Sequence, residues 1–340
     1  MIKEAIAKLA DRVSLTEKEA EEVMAEIMDG AATPAQIAAY LMGLRINGET
    51  VEEIAGSVRA MRTRALRMPV ADPNVVDTCG TGGDGAHTFN ISTTTAFVVA
   101  AAGLTVAKHG NKSVSSQCGS ADVLSALGVK IDLSTDRVAD CINDIGIGFL
   151  FAPLYHGAMK HCAEPRREIG IRTILNILGP LTNPAGATIQ VLGVYDRKLT
   201  ELLGKVLLHL GSRHCFVVHG MDGLDEITLT DKTIVSEGKQ GVLSSYILDP
   251  KEFGLARVRL KDLAGGTPLQ NAQITREILQ GRTGPRRDIV CLNAAPVLVA
   301  GRKAKSLQEG FRLAGQTIDS GAAHEKLERL VAFTNGSGRS

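Results

Sequence analysis

The sequence predicts an α/β protein in two parts, a small N-terminal helical domain and a larger α/β domain with a mainly parallel central sheet flanked by helices. Two features predict it. Residues 1 to about 66 carry only helix signals, and from Val75 onward short β-branched runs alternate with helical stretches. That alternation is the pattern of a parallel sheet covered on both faces.

In the first part, Thr16 with Glu19 makes a capping box, and Ala20, Val23, Met24, Ile27 and Met28 form one apolar stripe before Asp29-Gly30 stops the helix. Thr33-Pro34 with Gln36 starts the next helix, which carries Ile37, Leu41 and Leu44 to Asn47-Gly48, and Thr50 with Glu53 opens a third. Strands are expected at Val75–Cys79, Leu104–Lys108, Gly148–Ala152, Thr188–Val194 and His214–His219. The helices between them are expected over Asn90–Ala102, Ser120–Leu127, Asp136–Ile145, His156–Ile169 and Lys198–Leu210, and the chain reads as helical again after Ser306. Asn176–Pro184 breaks this rhythm with two prolines and a glycine, so it is expected to cross between the domains. The expected division is residues 1–70, with a contribution from about 165–188 crossing back, and residues 71–340.

A chain of 340 residues, 44% hydrophobic, can bury a large core. Lys and Arg total 38 against 37 for Asp and Glu, so no net field attracts nucleic acid or an acidic membrane. Any phosphate site must therefore be local. The six cysteines contain no CxxC pair and read as buried, reduced thiols. No apolar run reaches the roughly 18 residues of a membrane span. The start Met1-Ile2-Lys3-Glu4-Ala5 is amphipathic and acidic early, which suits neither a secretory nor a mitochondrial leader, and a cytoplasmic location is expected.

The strongest local signal is Asp77-Thr78-Cys79-Gly80-Thr81-Gly82-Gly83-Asp84-Gly85, between an expected strand and helix. Such a loop turns backbone N–H groups toward an anion at a helix start. Gly80, Gly82 and Gly85 satisfy G-x-G-x-x-G, but the second strand ends in Lys108-His109-Gly110-Asn111-Lys112 rather than in the acidic residue a dinucleotide enzyme needs. A cation there suits a phosphorylated ligand. Thr88, Asn90, Ser92, Thr93, Thr94 and Thr95 read as a row of polar groups on the same crevice, and Ser113, Ser115, Ser116 and Ser120 repeat the theme. Asp225-Glu226, just past the strand ending at His219, offers adjacent carboxylates for Mg²⁺. Arg166-Arg167-Glu168-Ile169-Gly170-Ile171-Arg172-Thr173 closes a helix just before the crossing segment, where one of the guanidiniums can clamp a carboxylate; successive helical residues diverge by about 100°, so Arg166 and Arg167 cannot both face the cleft. Neither a zinc-hydrolase HExxH nor a G-x-S-x-G elbow is present.

Taken together, Gly80-Thr81-Gly82-Gly83-Asp84, Asn90-Ile91-Ser92-Thr93, Lys108-His109-Gly110-Asn111-Lys112, Leu178-Gly179-Pro180-Leu181-Thr182-Asn183-Pro184 and Asp225-Glu226 resemble the anthranilate phosphoribosyltransferase family over nearly the whole chain. The resemblance implies a homodimer formed through the helical domain and a step of tryptophan synthesis. The donor it implies is 5-phosphoribosyl 1-diphosphate with Mg²⁺, two ions per subunit, and the acceptor is anthranilate. It assigns Gly80, Gly82, Gly83, Asp84, Thr88, Asn90, Ile91, Ser92, Thr93, Lys108, Asn111, Ser115, Ser116 and Ser120 to the donor. Ser92, Asp225 and Glu226 fall to the metal, and Gly80, His109, Asn111, Arg166 and Pro180 to anthranilate. Gly157, Glu164-Pro165 and Leu175 depart from the family's pattern and bear on the outer acceptor site. Two other readings share the fold: a pyrimidine nucleoside phosphorylase, which is usually longer and lacks the magnesium carboxylates, and a non-catalytic nucleic-acid binder, which wants a basic groove.

Overall fold

The structure, a computed structural model, describes residues 1–113 and 117–336. Ser115 and Ser116, assigned above to the donor, lie outside the described residues.

The N-terminal bundle comprises α1 (Ile2–Ala10), α2 (Glu17–Met28), α3 (Pro34–Asn47) and α4 (Val51–Arg64). The three expected capping boxes form at Thr16, Thr33 and Thr50. The stripe read from the sequence is the buried face of α2. Helices α2 and α4 lie close enough that a Cβ at Gly56 would overlap the Glu17 carbonyl, so only glycine fits there.

Next come β1 (Val76–Gly80), α5 (Ile91–Ala101), β2 (Val106–Gly110), α6 (Ser120–Ala126), α7 (Thr135–Ile145), β3 (Ile147–Phe151), α8 (Ala152–Tyr155), α9 (Lys160–Ile169) and α10 (Leu175–Leu181). The chain continues through β4 (Ile189–Gly193), α11 (Leu199–His209), β5 (His214–Gly220), β6 (Thr233–Lys239) and β7 (Val242–Leu248). It ends with α12 (Pro268–Leu279), α13 (Pro285–Ala300), α14 (Leu307–Asp319) and α15 (Ala322–Thr334). Among the described residues the strands form one sheet in the order β3-β2-β1-β4-β5-β6-β7, with β1 to β5 parallel and β6 and β7 added antiparallel. The chain winds outward in opposite directions from β1 and β4, so a crevice opens at their C-terminal ends.

The five expected strands form within a residue or two of their expected bounds. The helix expected over His156–Ile169 starts late: His156 ends α8, Gly157–Met159 is a single 3₁₀ turn, and α9 begins at Lys160. Gly157 disfavours helix propagation there. Asn176–Pro184, expected to cross between the domains and not read as a helix, is largely helical, because α10 buries Leu175, Ile177, Leu178 and Leu181, and that burial overrides its breakers. The β6–β7 hairpin was not anticipated. Its turn, Gln240-Gly241, has positive φ at both residues (51° and 80°), the twist-matched hairpin geometry usually signalled by Asn-Gly. Helices α12 and α13 were also missed, although Thr267-Pro268 with Gln270 caps α12 in the same way as the N-terminal helices.

Two large apolar cores flank the sheet. One packs α5, α13 and α15 on the first face. The other joins α1–α4 to α10, α11 and the opposite face through Leu192, Val194, Cys215 and Val217. All six cysteines are buried and none is in a disulfide. Among the described residues no helix is long and apolar enough to cross a membrane.

Leu178, 0% exposed, stands where the crossing segment meets the bundle. Leu178→Ala should cost about 2–5 kcal/mol of unfolding free energy, read as a lower urea midpoint. A midpoint equal to the parent's would show that α10 is not part of that core.

Candidate active site

The crevice is shaped first by two glycines at neighbouring strand ends. Gly80 and Gly193 face each other in register. A Cβ at Gly80 would overlap the Asp225 carboxylate, and one at Gly193 would overlap its backbone carbonyl. The β5–β6 turn can therefore lie directly across β1 and β4. The loop after Gly80 then turns through Gly82, Gly83 and Gly85, all at positive φ (67°, 77° and 72°). Gly82 N–H donates to Asp225 Oδ2 (2.7 Å) and Thr81 N–H to Gly193 O (2.9 Å).

Across the crevice, Ser92 N–H in the first turn of α5 donates to Glu226 Oε1 (3.1 Å). Lys108, 4% exposed, sends Nζ to the Thr78 carbonyl (2.5 Å) and toward Ser92 Oγ (3.5 Å). Asn90 ties the helix start to its surroundings: Nδ2 donates to Cys118 O (3.1 Å) and Oδ1 accepts from Asn271 (2.9 Å). Ser120 Oγ accepts from Asn111 N–H (3.2 Å), holding the turn after β2. Thr88 and Ser92 are partly accessible, but Thr93, Thr94 and Thr95 are buried. The row of hydroxyls expected on the crevice is thus only partly there. Helix α5 is covered on most sides, so residues advancing by about 100° go inward. Thr94 spends its hydroxyl on Asn90 O and Thr275. Ile91 and Thr93, both about 1% exposed, are buried as well.

The acidic groups lie on the cleft floor, partly accessible but surrounded by protein. Burial pushes Glu226 up to about 8, with Lys108 and the Ser92 N–H partly opposing it. Asp225 is raised well above the ordinary carboxylate range by burial and then by the charges of Asp84 and Glu226. Among the described residues no three His, Cys, Asp or Glu side chains make a complete metal cage. Crowded carboxylates with spare lone pairs nevertheless fit Mg²⁺, which takes one or two carboxylates and completes its shell with water and substrate oxygens.

On the side toward α9 and α10, His109 and His156 stand 5.2 Å apart, centroid to centroid. Burial lowers His109 to about 3, helped by His156, and lowers His156 to about 4. His109 Nε2 and both ring nitrogens of His156 lack a well-formed hydrogen bond, although the Gly179 and Thr182 backbones lie near. The half-buried Arg166 has its pKa lowered by burial, and among the described residues it forms no ion pair. Pro180 O accepts from Gln190 Nε2 (2.6 Å), which fixes the end of α10 over β4. Asn111 is exposed at the rim. The structure thus brings His109 and His156 beside the α10 end of the cleft and the loop, Lys108 and the carboxylates together on the other side, while Arg166 stands in the last turn of α9. Sequence reasoning missed His156, whose one available signal was its place just past the C-terminal end of a strand. It also missed Gly193.

The family models that match the chain are the helical bundle domain of a glycosyl transferase family, over residues 3–65, and the a/b domain of the same family, over residues 72–324. The anthranilate phosphoribosyltransferase of Desulfosudis oleivorans is 56% identical over 99% of this chain and 100% of its own length. This chain belongs to the anthranilate phosphoribosyltransferase family. The crystal structure of the family member from Thermus thermophilus is 44% identical and superposes with a TM-score of 0.93, covering 98% of this chain and 99% of that one. The Saccharomyces cerevisiae anthranilate phosphoribosyltransferase, solved in complex with PRPP and Mg, is 28% identical with a TM-score of 0.89, covering 98% of each chain.

The histidine pair sets a pH dependence of stability. Below about pH 6.5 the unfolded chain protonates both imidazoles, while the fold resists until about 4 for His156 and about 3 for His109. The unfolded state binds more protons in that window, so stability falls as pH drops through it. Asp77 acts oppositely: burial lifts it to about 6, so the folded form keeps a proton that the unfolded chain gives up. Comparing the parent with a His109→Gln/His156→Gln double variant isolates the histidines. Between pH 7 and 5 the parent should lose more unfolding free energy in urea, by up to about 1.4 kcal/mol per histidine per pH unit. Parallel pH profiles would mean that the imidazoles titrate normally in the fold.

Proposed function

We propose that this enzyme transfers the 5-phosphoribosyl group of 5-phosphoribosyl 1-diphosphate to the amine of anthranilate, releasing diphosphate, within tryptophan biosynthesis. One observation carries the reading: an amide-bearing glycine loop, a buried lysine and an acidic pair meet in one cleft; the half-buried Arg166, which forms no ion pair among the described residues, stands in the last turn of α9. The nucleoside phosphorylase and nucleic-acid-binding readings are not favoured beside relatives of this identity and coverage.

The diphosphate end of the donor lies against the Gly80–Gly85 loop and the start of α5, where N–H groups and the helix dipole favour negative charge. Asp84, Thr88, Asn90 and Ser92 border that position, Ser120 and Asn111 close it, and Ile91 and Thr93 contribute through backbone. Lys108, held against the Thr78 carbonyl, adds a fixed positive charge beneath the ribose and diphosphate. Asp225, Glu226 and Ser92 would hold two Mg²⁺ ions per subunit. When bound, Mg²⁺ supplies charge stabilisation to the departing oxygens.

Anthranilate approaches from the α9–α10 side. Arg166 takes its carboxylate in a bidentate pair. The neutral His109 and His156, with Pro180, Asn111 and Gly80, border the ring without adding charge beside Arg166. The aromatic amine is neutral at pH 7, and its proton can pass to the substrate's own carboxylate or to water, so the reading needs no dedicated base. Holding two reactants in line can supply roughly 7–11 kcal/mol of barrier lowering.

The same reading includes the division into residues 1–70, joined by about 165–188, and residues 71–340. It also includes a homodimer through the helical domain and a cytoplasmic location. Val13 and Ile46, 49% and 61% exposed on the bundle, support such an interface.

Anthranilate fluorescence should fall only when the diphosphate donor and Mg²⁺ are both present. The double variant Asp225→Ala/Glu226→Ala should fold and lose Mg²⁺-dependent turnover, and undiminished turnover would refute the metal assignment. Arg166→Ala should raise the KM for anthranilate about ten- to a hundredfold, the worth of a lost charge-assisted bond, with donor KM little changed. An unaltered anthranilate KM would remove Arg166 from the acceptor site.

A further inference from the structure

Arg172 belongs to neither the donor set nor the acceptor set above, yet it touches the donor loop. It lies in the turn between α9 and α10, and its Nη2 donates to the Gly83 carbonyl. Its guanidinium also stacks on the Tyr195 ring at 4.2 Å. A Cβ at Gly83 would come within 3.3 Å of the same guanidinium, so the loop and the arginine are in close contact. Tyr195, just past the end of β4, is itself tied to the loop: its backbone N–H donates to Thr81 Oγ1 (3.2 Å). Residues 81–83 are thus held from β4 on one side and from the α9–α10 turn on the other. Among the described residues, the bond from Arg172 is the one hydrogen bond made by Gly83.

A loop with successive glycines at positive φ has more freedom to lose than any other segment of this size. A ligand that must order it gives up affinity in doing so, and a loop already held in shape gives up less. We propose that Arg172, braced on Tyr195, is a positioning residue that holds the Gly82-Gly83 turn in the shape the diphosphate donor needs; this rests on the donor site proposed above. Gly82 N–H is held by Asp225 and Gly83 O by Arg172, so the two ends of one turn are fixed independently. The arginine reaches the donor only through the loop, so its removal should weaken donor binding and leave the chemical step and the acceptor largely alone. Stacking on Tyr195 restricts the guanidinium to one orientation, so the ring is part of the brace. A lysine keeps the charge, a donor for Gly83 and the contact with the ring, while losing the planar stack.

The test measures donor Kd by calorimetry with Mg²⁺ and steady-state constants for both substrates in the parent, R172Q, R172K, Y195F and Y195L. Arg172 is exposed and Y195F keeps the ring, so these variants should fold, which melting curves would check. R172Q and Y195L should raise donor Kd and donor KM about tenfold, with kcat within about twofold and anthranilate KM unchanged. R172K and Y195F should recover most of the loss. Donor affinity in R172Q and Y195L equal to the parent's would overturn the proposal, as would a fall in kcat at constant donor KM or an equal rise in both KM values. A parent that binds no donor would instead overturn the donor site itself, and the brace with it.

Discussion

Asp225 lies across the ends of β1 and β4 because neither Gly80 nor Gly193 has a side chain to keep it away. That close approach arranges the rest of the cleft. It puts the Asp225 carboxylate within reach of the Gly82 amide and brings Glu226 to the first turn of α5, where it accepts from Ser92. It also surrounds both carboxylates with protein while leaving them partly accessible, and burial rather than any single neighbour is the main reason they resist ionising. A cleft floor of this kind is poorly satisfied by the protein alone and well satisfied by a hard divalent cation with phosphate oxygens. The energetic tension and the proposed chemistry have the same source.

The proposed acceptor side follows a different logic. Among the described residues Arg166 is half-buried and forms no ion pair, and His109 and His156 are kept neutral with ring nitrogens poorly matched. Buried polar groups normally find partners. Their shortage around the two histidines supports the acceptor site proposed above. Asp77 joins the two sides from below: it accepts from Asn183 (2.8 Å) and from the His109 N–H (3.3 Å), linking the segment after α10 to β1 and β2. The core that packs α10 against the N-terminal bundle then ties the proposed acceptor side to the rest of the cleft.

Much of this was legible in order along the chain. The capping boxes at Thr16, Thr33 and Thr50 form as read, because they depend on residues three positions apart and on nothing distant. The strand–helix alternation from Val75 to Leu210 was visible because period and length are local properties. The β6–β7 hairpin escaped because Gln240 replaces the usual Asn at its turn. The helical α10 escaped because its two breakers are outweighed by side chains that meet the bundle only in three dimensions.

By itself the sequence determined which chemical groups are available and their order along the chain: the glycine loop before α5, the lysine in β2, the acidic pair after β5 and the arginines ending α9. Only the tertiary structure decided which of them face the cleft. It turned Thr93, Thr94 and Thr95 inward, put His156 beside His109, and set Arg172 against Gly83. The physical reason is that side-chain direction depends on what packs against an element from far away in the chain. A residue's type and its neighbours in sequence settle what it can do, whereas the strand order of the sheet and the cores on its two faces settle what it can reach.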